Sequence, residues 1–475
     1  MTFKEKRSLT GSEIPPYPLI RKGKVKGMHR FLAQLNEAWK AGYELVKKSP
    51  VILKRTDINS VMSHSGKIMN ERRIREALET TIELRETGAA AISDASHQSR
   101  KGRTDFYPTL EHAHTINRIL EIEYPDHYDE WEYIFNETSW GLPQFGYLIK
   151  GRNVLSNNIR FAPWELKVPE DLNDTPPVQL VEKLRDAGHQ VCYIQDAFPS
   201  AHRGGNKKDT SMYELPAFLK QRGIPVFPSR HFAKEMEKFA KINELINHSK
   251  KVVVALFGGK VTDYLEIIAL YQRHDNVEFL AGSLLSLVYL KTQYPSLTFG
   301  VNDERFFQDI GKKELAQFNR LYDPDRVHLA KDIIITTPDE ILTKTLGPKM
   351  KLRYEVQGIG PKTVDYYTEV VKGAQLLMVN GCPFNIRRFE TFGGYFKDFM
   401  TRVRKRNGGL KIYECGGDAI TAIKFAEVKT DISSTAGKLG LLAPMIETLD
   451  DLKQHAPAVV PLIELNQAFP LNASK

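Results

Sequence analysis

Two hydrophobic patterns alternate along the chain from about residue 50 onward. Short apolar runs predict buried strands, and longer segments whose apolar residues recur every three or four positions predict helices. The predicted strands before residue 230 are VILKRTDI (51–58), GAAAISDA (88–95), NVLSNN (153–158) and HQVCYIQ (189–195), with helices at 70–87, 109–122, 177–188 and 212–223. This alternation is typical of a parallel sheet that carries helices on both faces.

A long amphipathic segment at 230–249 separates this region from a second one with the same alternation. The second region has predicted strands KVVVALF, NVEFLAG, DIIITT, QLLMVNG, KIYECGG and KTDISST, and helices at 261–274, 283–294, 361–374 and 418–427. We therefore predict an α/β fold with two doubly wound parallel-sheet domains joined by a long interdomain helix. The predicted segments are a basic N-terminal extension (1–45), an anion-binding domain (46–229), the helix (230–249), a nucleotide-binding domain (250–445) and a tail that packs back on the domains (446–475).

Composition narrows the class of protein further. A chain of 475 residues is too long for one core, and no apolar run reaches the length of a membrane span. The N-terminus lacks the apolar segment of a signal peptide, and Cys192, Cys382 and Cys415 form no CxxC pair, so a reducing cytoplasm is expected. The net charge of +9 favours an anionic partner. The basic runs at 21–26 and 402–406 are not interleaved with aromatic residues, which favours a small anion over a nucleic acid.

Charged side chains follow the predicted strands of the first region. The segments at these strand ends, and the start of the first helix, carry Asp57, Asn59, Arg73, His97, Arg100, Arg160 and Arg203. Ligands of open parallel sheets bind at the carboxyl ends of the strands, and the planar guanidinium group suits phosphate or carboxylate. Singly, each arginine is typical of a solvated surface, but together they predict a site for a multiply charged anion. Asp57 and Asn59 lie two residues apart on one strand face, where they can hold a hydroxyl group.

The order of these motifs resembles the phosphoglycerate kinase family from about residue 50 to about residue 450. The matching segments are RTDIN, RRIREAL, SHQSRK, NNIRF and, most specifically, DAFPSAHR. The resemblance implies that Asp57 and Asn59 contact the glycerate hydroxyl, and that Arg73 faces the carboxylate and the transferring phosphoryl group. It also implies that the 3-phosphate is bound by His97, Arg100, Arg160 and Arg203.

Glycine-rich segments of the second region match the nucleotide side of the same family. They are FGGK, GIGPKTV, VNGC and CGGD, and the chain has no P-loop of the GxxxxGK[ST] type. The resemblance implies Mg²⁺ and ATP or ADP as cofactor and co-substrate, with Asp418 as the metal ligand and Lys260 as a catalytic cation. The nucleotide-binding residues that it implies are Gly258, Gly259, Lys260, Tyr264, Gly282, Asn380, Gly381, Gly416, Gly417 and Asp418. Without the resemblance, GGK is an ordinary strand-to-helix turn and Asp418 an ordinary helix cap.

The nucleotide side departs from the family pattern at several positions. Tyr264 stands where the family has a second phosphate-contacting lysine, and Cys382 replaces a proline. A three-glycine loop reads G-S-L at 282–284, and the glycine-rich STGGG segment reads STAGK at 434–438. A ribose-contacting glutamate is replaced near 387–388. The sequence therefore predicts an anion side that is kept and a nucleotide side that is altered.

Three functions remain open at this point. The first is phosphoryl transfer between ATP and the carboxylate of 3-phosphoglycerate, which needs no general base because a carboxyl group is already ionised at neutral pH. Catalysis would then rest on alignment and positive charge, with closure of the two domains, and a monomer would suffice. The second is activation of a different carboxylate as an acyl phosphate. The third is a non-catalytic phospho-anion binder, against which the retention of Lys260, Gly417 and Asp418 argues.

Overall fold

The computed structural model describes residues 26–63, 65–204, 209–300 and 310–463. They divide into two compact units. The N-terminal unit comprises described residues from 26 to 244 together with 434–463, and the C-terminal unit comprises those from 245 to 433. The chain therefore passes from the N-terminal to the C-terminal unit near residue 244 and returns near residue 433. The sequence predicted the first boundary within the helix at 230–249 and the second at residue 445.

A six-stranded sheet forms the centre of the N-terminal unit. Its strands are β1 (Val51–Arg55), β2 (Ala91–Ala95), β3 (Tyr133–Asn136), β4 (Asn153–Ser156), β5 (Val191–Gln195) and β6 (Val226–Pro228). Their order is β3-β4-β2-β1-β5-β6, and every neighbouring pair is parallel. Because Arg55 pairs with both Ala95 and Gln195, the three central strands end level with one another. The residues that follow β1, β2 and β5 therefore lie together at the carboxyl edge of the sheet.

Helices surround this sheet. They are α1 (Lys26–Val46), α2 (Arg72–Thr87), α3 (Leu110–Glu123), α4 (Pro176–Asp186), α5 (Glu214–Gln221) and α6 (Arg230–His248). Short helical turns lie at Pro125–His127, Tyr128–Trp131, Leu142–Gln144, Phe145–Leu148, Ile159–Phe161, Pro163–Leu166, Leu172–Asp174, Phe198–Ser200 and Thr210–Met212. The boundary between the two units falls within α6, which corresponds to the predicted interdomain helix.

Helix α1 lies almost entirely within the segment predicted as a basic N-terminal extension (1–45). Its buried residues Met28, Leu35 and Val46 recur at helical spacing. Gly42 packs directly on the ring of Phe227 in β6, where a Cβ atom would stand 2.2 Å from the ring. The described part of the extension is therefore part of the core of the N-terminal unit.

The C-terminal unit has a second six-stranded sheet and a small antiparallel one. The strands are β7 (Val252–Leu256), β8 (Val277–Ala281), β9 (Val327–His328), β10 (Asp332–Thr336), β11 (Ile341–Thr345), β12 (Val356–Ile359), β13 (Leu376–Asn380), β14 (Lys411–Cys415) and β15 (Ile432–Ser434). The large sheet has the order β15-β14-β13-β7-β8-β9, and β14, β13, β7, β8 and β9 pair in parallel. The predicted α/β class with two doubly wound parallel sheets is confirmed.

Strand β10 was expected in the parallel sheet, and the structure corrects that expectation. It pairs antiparallel with both β11 and β12 in the small sheet. The reason lies in the four residues that follow it, in which the Thr337 amide donates to the Glu340 carbonyl at 2.9 Å. A turn this tight can join only antiparallel strands.

Six helices of the C-terminal unit are described, and a final segment returns to the other unit. The helices are α7 (Asp263–Tyr271), α8 (Ser283–Gln293), α9 (Lys312–Leu321), α10 (Pro361–Val371), α11 (Gly394–Arg406) and α12 (Gly417–Ala426), with short turns at Ile386–Arg388 and Phe389–Phe392. The final segment contains Lys438–Leu442, Ala443–Met445, α13 (Leu449–His455), Pro457–Val459 and Val460–Ile463. It contacts the N-terminal unit through Asn243, which donates to the Pro444 carbonyl at 2.6 Å. Residues 464–475 of the predicted tail lie outside the described part of the chain.

Candidate functional site

The predicted anion-binding residues follow the level ends of the central strands. Asp57 and Asn59 come after β1, His97 after β2, and Arg203 after β5. Asp57 and His97 are buried, whereas Arg100 is exposed on the loop after β2. The N-terminal unit thus brings most of the predicted set to one edge of its sheet.

Asp57 and Arg73 form the centre of this edge. Nη1 of Arg73 donates to Asp57 Oδ1 at 3.2 Å, and the Ser200 hydroxyl donates to Asp57 Oδ2 at 2.9 Å. Burial by itself would raise the pKa of Asp57, but Arg73, Arg55 and the Ser200 hydroxyl outweigh it and hold that pKa below its ordinary value. Asp57 is therefore a carboxylate at neutral pH, oriented on both oxygens.

Arg73 also contacts two backbone carbonyls. Its Nη1 donates to the Asn59 carbonyl at 3.0 Å, and its Nη2 donates to the Thr435 carbonyl at 2.8 Å. Asn59 in turn accepts, at Oδ1, a hydrogen bond of 2.9 Å from the Ser99 amide. These bonds tie the loops after β1 and β2, the start of α2 and the segment at 434–438 into one framework. The guanidinium group is consequently held in one orientation.

His97 is kept neutral by its surroundings. Burial, followed by the charges of Arg160, Arg55 and Arg203, holds its pKa well below the ordinary value. Its Nδ1 lies 3.2 Å from Nη2 of Arg55, and a guanidinium group can only donate. Nδ1 is therefore the acceptor, and the proton of the imidazole resides on Nε2.

Arg160 and Arg203 share one carboxylate. Nε and Nη2 of Arg160 donate to Asp209 Oδ1 at 3.1 and 2.8 Å, and Nη1 of Arg203 donates to Asp209 Oδ2 at 3.0 Å. The remaining Nη1 of Arg160 donates to the Ser99 carbonyl at 2.6 Å. Two of the three arginines that the sequence predicts for the phosphate, Arg160 and Arg203, are thus held by one carboxylate.

Sequence reasoning missed three charged residues of this region. Arg55 is fully buried and donates from Nε to the Ser211 hydroxyl at 2.8 Å. Glu165 accepts from the Ser211 hydroxyl at 2.9 Å, and burial raises its pKa to about 7. Asp209 comes six residues after Arg203 with no strand before it. Only Arg55 carried a signal in the sequence, because it stands within a predicted strand of mainly apolar residues.

In the C-terminal unit, glycines let the predicted nucleotide loops approach one another closely. Gly381 has φ 78°, and a Cβ atom there would lie 2.2 Å from the Gly258 nitrogen. A Cβ atom on Gly282 would lie 3.0 Å from the Cα atom of Phe257. The loops after β7, β8 and β13 therefore meet at the carboxyl edge of the sheet, and only glycine fits at the tightest contact.

Tyr264 is buried beneath this meeting point, with 3% of its surface exposed. Its hydroxyl accepts a hydrogen bond of 2.5 Å from the Gly258 amide and donates one of 3.3 Å to Asn380 Oδ1. Asn380 continues the network by donating from Nδ2 to the Cys415 carbonyl at 3.0 Å. From helix α7 the tyrosine thus links the loop after β7 to the end of β13 directly, and to β14 through Asn380. Its predicted role as a nucleotide ligand stays a prediction.

The two charged residues predicted for the nucleotide side are solvent-exposed. Lys260 lies beside the exposed Gly259 in the loop after β7, and Asp418 lies in the first turn of α12. Gly416, with φ 92°, and Gly417 precede Asp418 at the end of β14. Within the described ranges, no group of three or more His, Cys, Asp or Glu side chains is arranged to hold a metal. One carboxylate at a helix start suits a Mg²⁺ whose other ligands are phosphate oxygens and water.

The basic run at 402–406 is largely compensated by acidic neighbours. Arg402 pairs with Asp365 at 2.7 Å, Arg404 pairs with Asp431 at 2.9 Å, and Arg406 pairs with a glutamate of α10. These pairs are typical of a solvated surface rather than of a nucleic-acid groove. The other basic run, 21–26, lies almost wholly outside the described residues. Among the described helices, none combines the length and apolar character that crossing a membrane requires.

Most of the chain is similar to proteins of one family. The family model of phosphoglycerate kinase matches residues 44–442. The phosphoglycerate kinase of Methanobacterium bryantii is 27% identical over 426 residues, which cover 85% of this chain and 95% of that protein. The enzyme of Saccharolobus solfataricus is 27% identical over 423 residues, covering 85% and 94%.

A solved structure shares the fold. The crystal structure of phosphoglycerate kinase from Pyrococcus horikoshii aligns with a TM-score of 0.67 at 22% identity, covering 88% of this chain and 97% of that one. The structure from Coxiella burnetii aligns with a TM-score of 0.55 at 18% identity, covering 88% and 96%. On the extent of the family match, this chain belongs to the phosphoglycerate kinase family.

Proposed function

We propose that this protein transfers a phosphoryl group between ATP and the carboxylate of 3-phosphoglycerate, forming or consuming an acyl phosphate. The observation that carries the proposal is the set of oriented cations at one sheet edge of the N-terminal unit. Arg73, Arg160 and Arg203 lie there with a neutral His97, in a chain of the phosphoglycerate kinase family.

Each residue of this edge has a role in binding the acceptor. Arg160 and Arg203 bind the 3-phosphate, and His97 donates to it from Nε2. Asp57 and Asn59 hold the glycerate hydroxyl. Arg73 lies against the reacting carboxylate and spreads the charge of the transferring group, and the carbonyls of Asn59 and Thr435 fix its orientation.

The nucleotide phosphates belong to the glycine loops of the C-terminal unit. Lys260 contributes an exposed cation, and the start of α12 contributes backbone amides with a positive helix end. Asp418 would hold Mg²⁺, which neutralises the developing charge on the phosphate oxygens when it is bound. The residues Gly258, Gly381 and Gly282 keep the loops close enough to form one surface.

Two further attributes belong to the proposal. All residues assigned to the two substrates lie in one chain, so the reaction needs no second copy. The described cysteines form no disulfide, and Cys192 and Cys415 are buried as free thiols, which suits a reducing cytoplasm.

The assay is formation of an acyl phosphate from MgATP and 3-phosphoglycerate, trapped with hydroxylamine as a hydroxamate. Arg73→Ala is expected to lower turnover on the order of 10²-fold or more, as loss of one preorganised donor does. The matched control is Arg222→Ala, since Arg222 lies on the surface of the same unit in an ion pair with Glu182.

The same assay decides between the three functions. Turnover with other carboxylates and none with 3-phosphoglycerate would establish activation of a different acceptor. Calorimetric binding of 3-phosphoglycerate without ATP binding or turnover would establish a non-catalytic binder. Either result would refute the proposed reaction.

A further inference from the structure

The carboxylate of Asp209 occupies the position between two arginines of the anion site. Both of its oxygens accept from them, Oδ1 from Arg160 at 2.8 and 3.1 Å and Oδ2 from Arg203 at 3.0 Å. The donors that the proposed function assigns to a substrate phosphate are therefore already engaged by an anion of the chain itself.

This internal anion is charged at every pH at which the protein would act. Burial by itself would raise the pKa of Asp209, but Arg203 and Arg160 outweigh it and lower that pKa to about 2. Asp209 is 7% exposed and Arg160 is 5% exposed, so solvent screens their attraction weakly. The ion pairs of Asp209 with Arg160 and Arg203 therefore persist until a ligand displaces the carboxylate.

One feature of Arg203 favours exchange of the contact for a ligand. Nε of Arg203 is buried and has no hydrogen-bond partner within the described residues, so Asp209 does not use every donor of that guanidinium group. An anion with more acceptor oxygens than one carboxylate can therefore make a hydrogen bond that Asp209 leaves unmade.

We propose that Asp209 is a resident counter-ion that the phosphate of the substrate displaces, and that this residue sets the affinity of the anion site. The inference rests on the proposed function. A phosphate dianion brings more charge and more acceptor oxygens than one carboxylate, so it exchanges favourably with Asp209. Part of its binding free energy is spent on breaking the two ion pairs. The substrate therefore binds more weakly, and leaves faster, than the arginines alone would allow.

The test compares the binding of inorganic phosphate and of 3-phosphoglycerate to the wild-type chain and to Asp209→Asn, by calorimetry. The asparagine keeps the shape and removes the charge. We expect both ligands to bind on the order of tenfold more tightly. The KM for 3-phosphoglycerate falls by a larger factor than kcat changes. Asp209→Glu restores a carboxylate and is expected to return the affinity towards the wild-type value.

Control variants separate this effect from a general change in charge or folding. Asp186→Asn removes an exposed carboxylate from the same unit and is expected to leave phosphate affinity unchanged. If Asp209→Asn does not fold, Asp209→Ser removes the same charge with a smaller side chain. Inorganic phosphate is expected to raise the melting temperature of either variant more than that of the wild type.

The outcomes are distinct for the two proposals. Equal or weaker phosphate binding by the folded Asp209 variants would overturn the inference, because Asp209 would then only orient the arginines. That result leaves the proposed function intact. If neither the wild type nor the variants bind phosphate, these residues do not form an anion-binding site. The proposed function then fails together with the inference.

Discussion

Removal of the Tyr264 hydroxyl tests how the nucleotide loops are held together. Tyr264→Phe keeps the buried ring and deprives the Gly258 amide of its acceptor and Asn380 Oδ1 of one donor. An unsatisfied buried donor costs about 1–3 kcal/mol, and the partial exposure of Gly258 favours the lower end, about 1 kcal/mol. For a unit of this size, that loss corresponds to a fall in Tm of roughly 2–4 °C.

The structure also predicts how this variant interacts with a second one. A Cβ atom on Gly258 would lie 2.5 Å from the Tyr264 hydroxyl and 3.6 Å from its next neighbours. Gly258→Ala should therefore be costly in the wild type and cheaper in the Tyr264→Phe background, with a coupling of about 1 kcal/mol. Tyr264→Lys, the change towards the family residue, is expected to destabilise more than Tyr264→Phe. An ammonium group cannot accept from the Gly258 amide.

The measurement is thermal and denaturant unfolding of the full chain for the four members of the cycle. The matched control is Tyr289→Phe in the same unit, since the buried Tyr289 hydroxyl has no hydrogen-bond partner in the described part of the chain. Its removal is expected to be neutral or stabilising. The reasoning is refuted if Tyr264→Phe costs no more than this control. It is also refuted if Gly258→Ala costs the same in both backgrounds.

Three other predictions concern single positions. Gly381→Ala places a Cβ atom 2.2 Å from the Gly258 backbone nitrogen, at a residue whose φ is 78°. We therefore expect the unfolding free energy to fall by several kcal/mol and ATP to bind more weakly in calorimetry. An unchanged Tm would contradict the close approach of the two loops. Burial raises the pKa of Glu165 to about 7, so the folded state keeps a proton that the unfolded chain releases, and stability should fall as pH rises from about 4.5 to 7. Glu165→Gln should flatten this fall, by at most about 3 kcal/mol in unfolding free energy between pH 5 and pH 8. Gly42→Ala makes a methyl group clash with the ring of Phe227 in β6 and should lower Tm. Lys40→Ala, on the exposed face of the same helix, should leave Tm unchanged.

Most strands of the two large sheets could be predicted because the central ones are buried along their whole length and are mainly apolar. Five strands were missed because they are short and lie at the edges of their sheets, where the apolar signal is weak: β3, β6, β9, β11 and β12. Helix α1 was missed although its buried residues recur at helical spacing, because the basic residues around it dominated the interpretation. The antiparallel pairing of β10 depends on the four-residue turn TPDE, and hydrophobic periodicity carries no information about such a turn.

The site was predictable where a residue sits in a motif and unpredictable where its role depends on a tertiary contact. Arg73, Arg160 and Arg203 follow strands or open a helix, and the order of their motifs was sufficient to find them. Asp209 lies in a loop with no pattern of its own, and it matters only because the fold brings two arginines to it. Nothing in the sequence alone specifies that approach.

The discontinuity of the N-terminal unit has a consequence for synthesis on the ribosome. Residues 434–463 belong to that unit, and they are translated only after the whole C-terminal unit. Thr435, which accepts from Arg73, is among them. The N-terminal unit therefore begins to emerge first but is completed last. When residue 433 has been translated, the C-terminal unit, which is continuous from residue 245, has all of its residues, whereas the anion site of the N-terminal unit still lacks Thr435. Nascent chains that stop near residue 433 should carry a protease-resistant second unit beside a protease-sensitive first one.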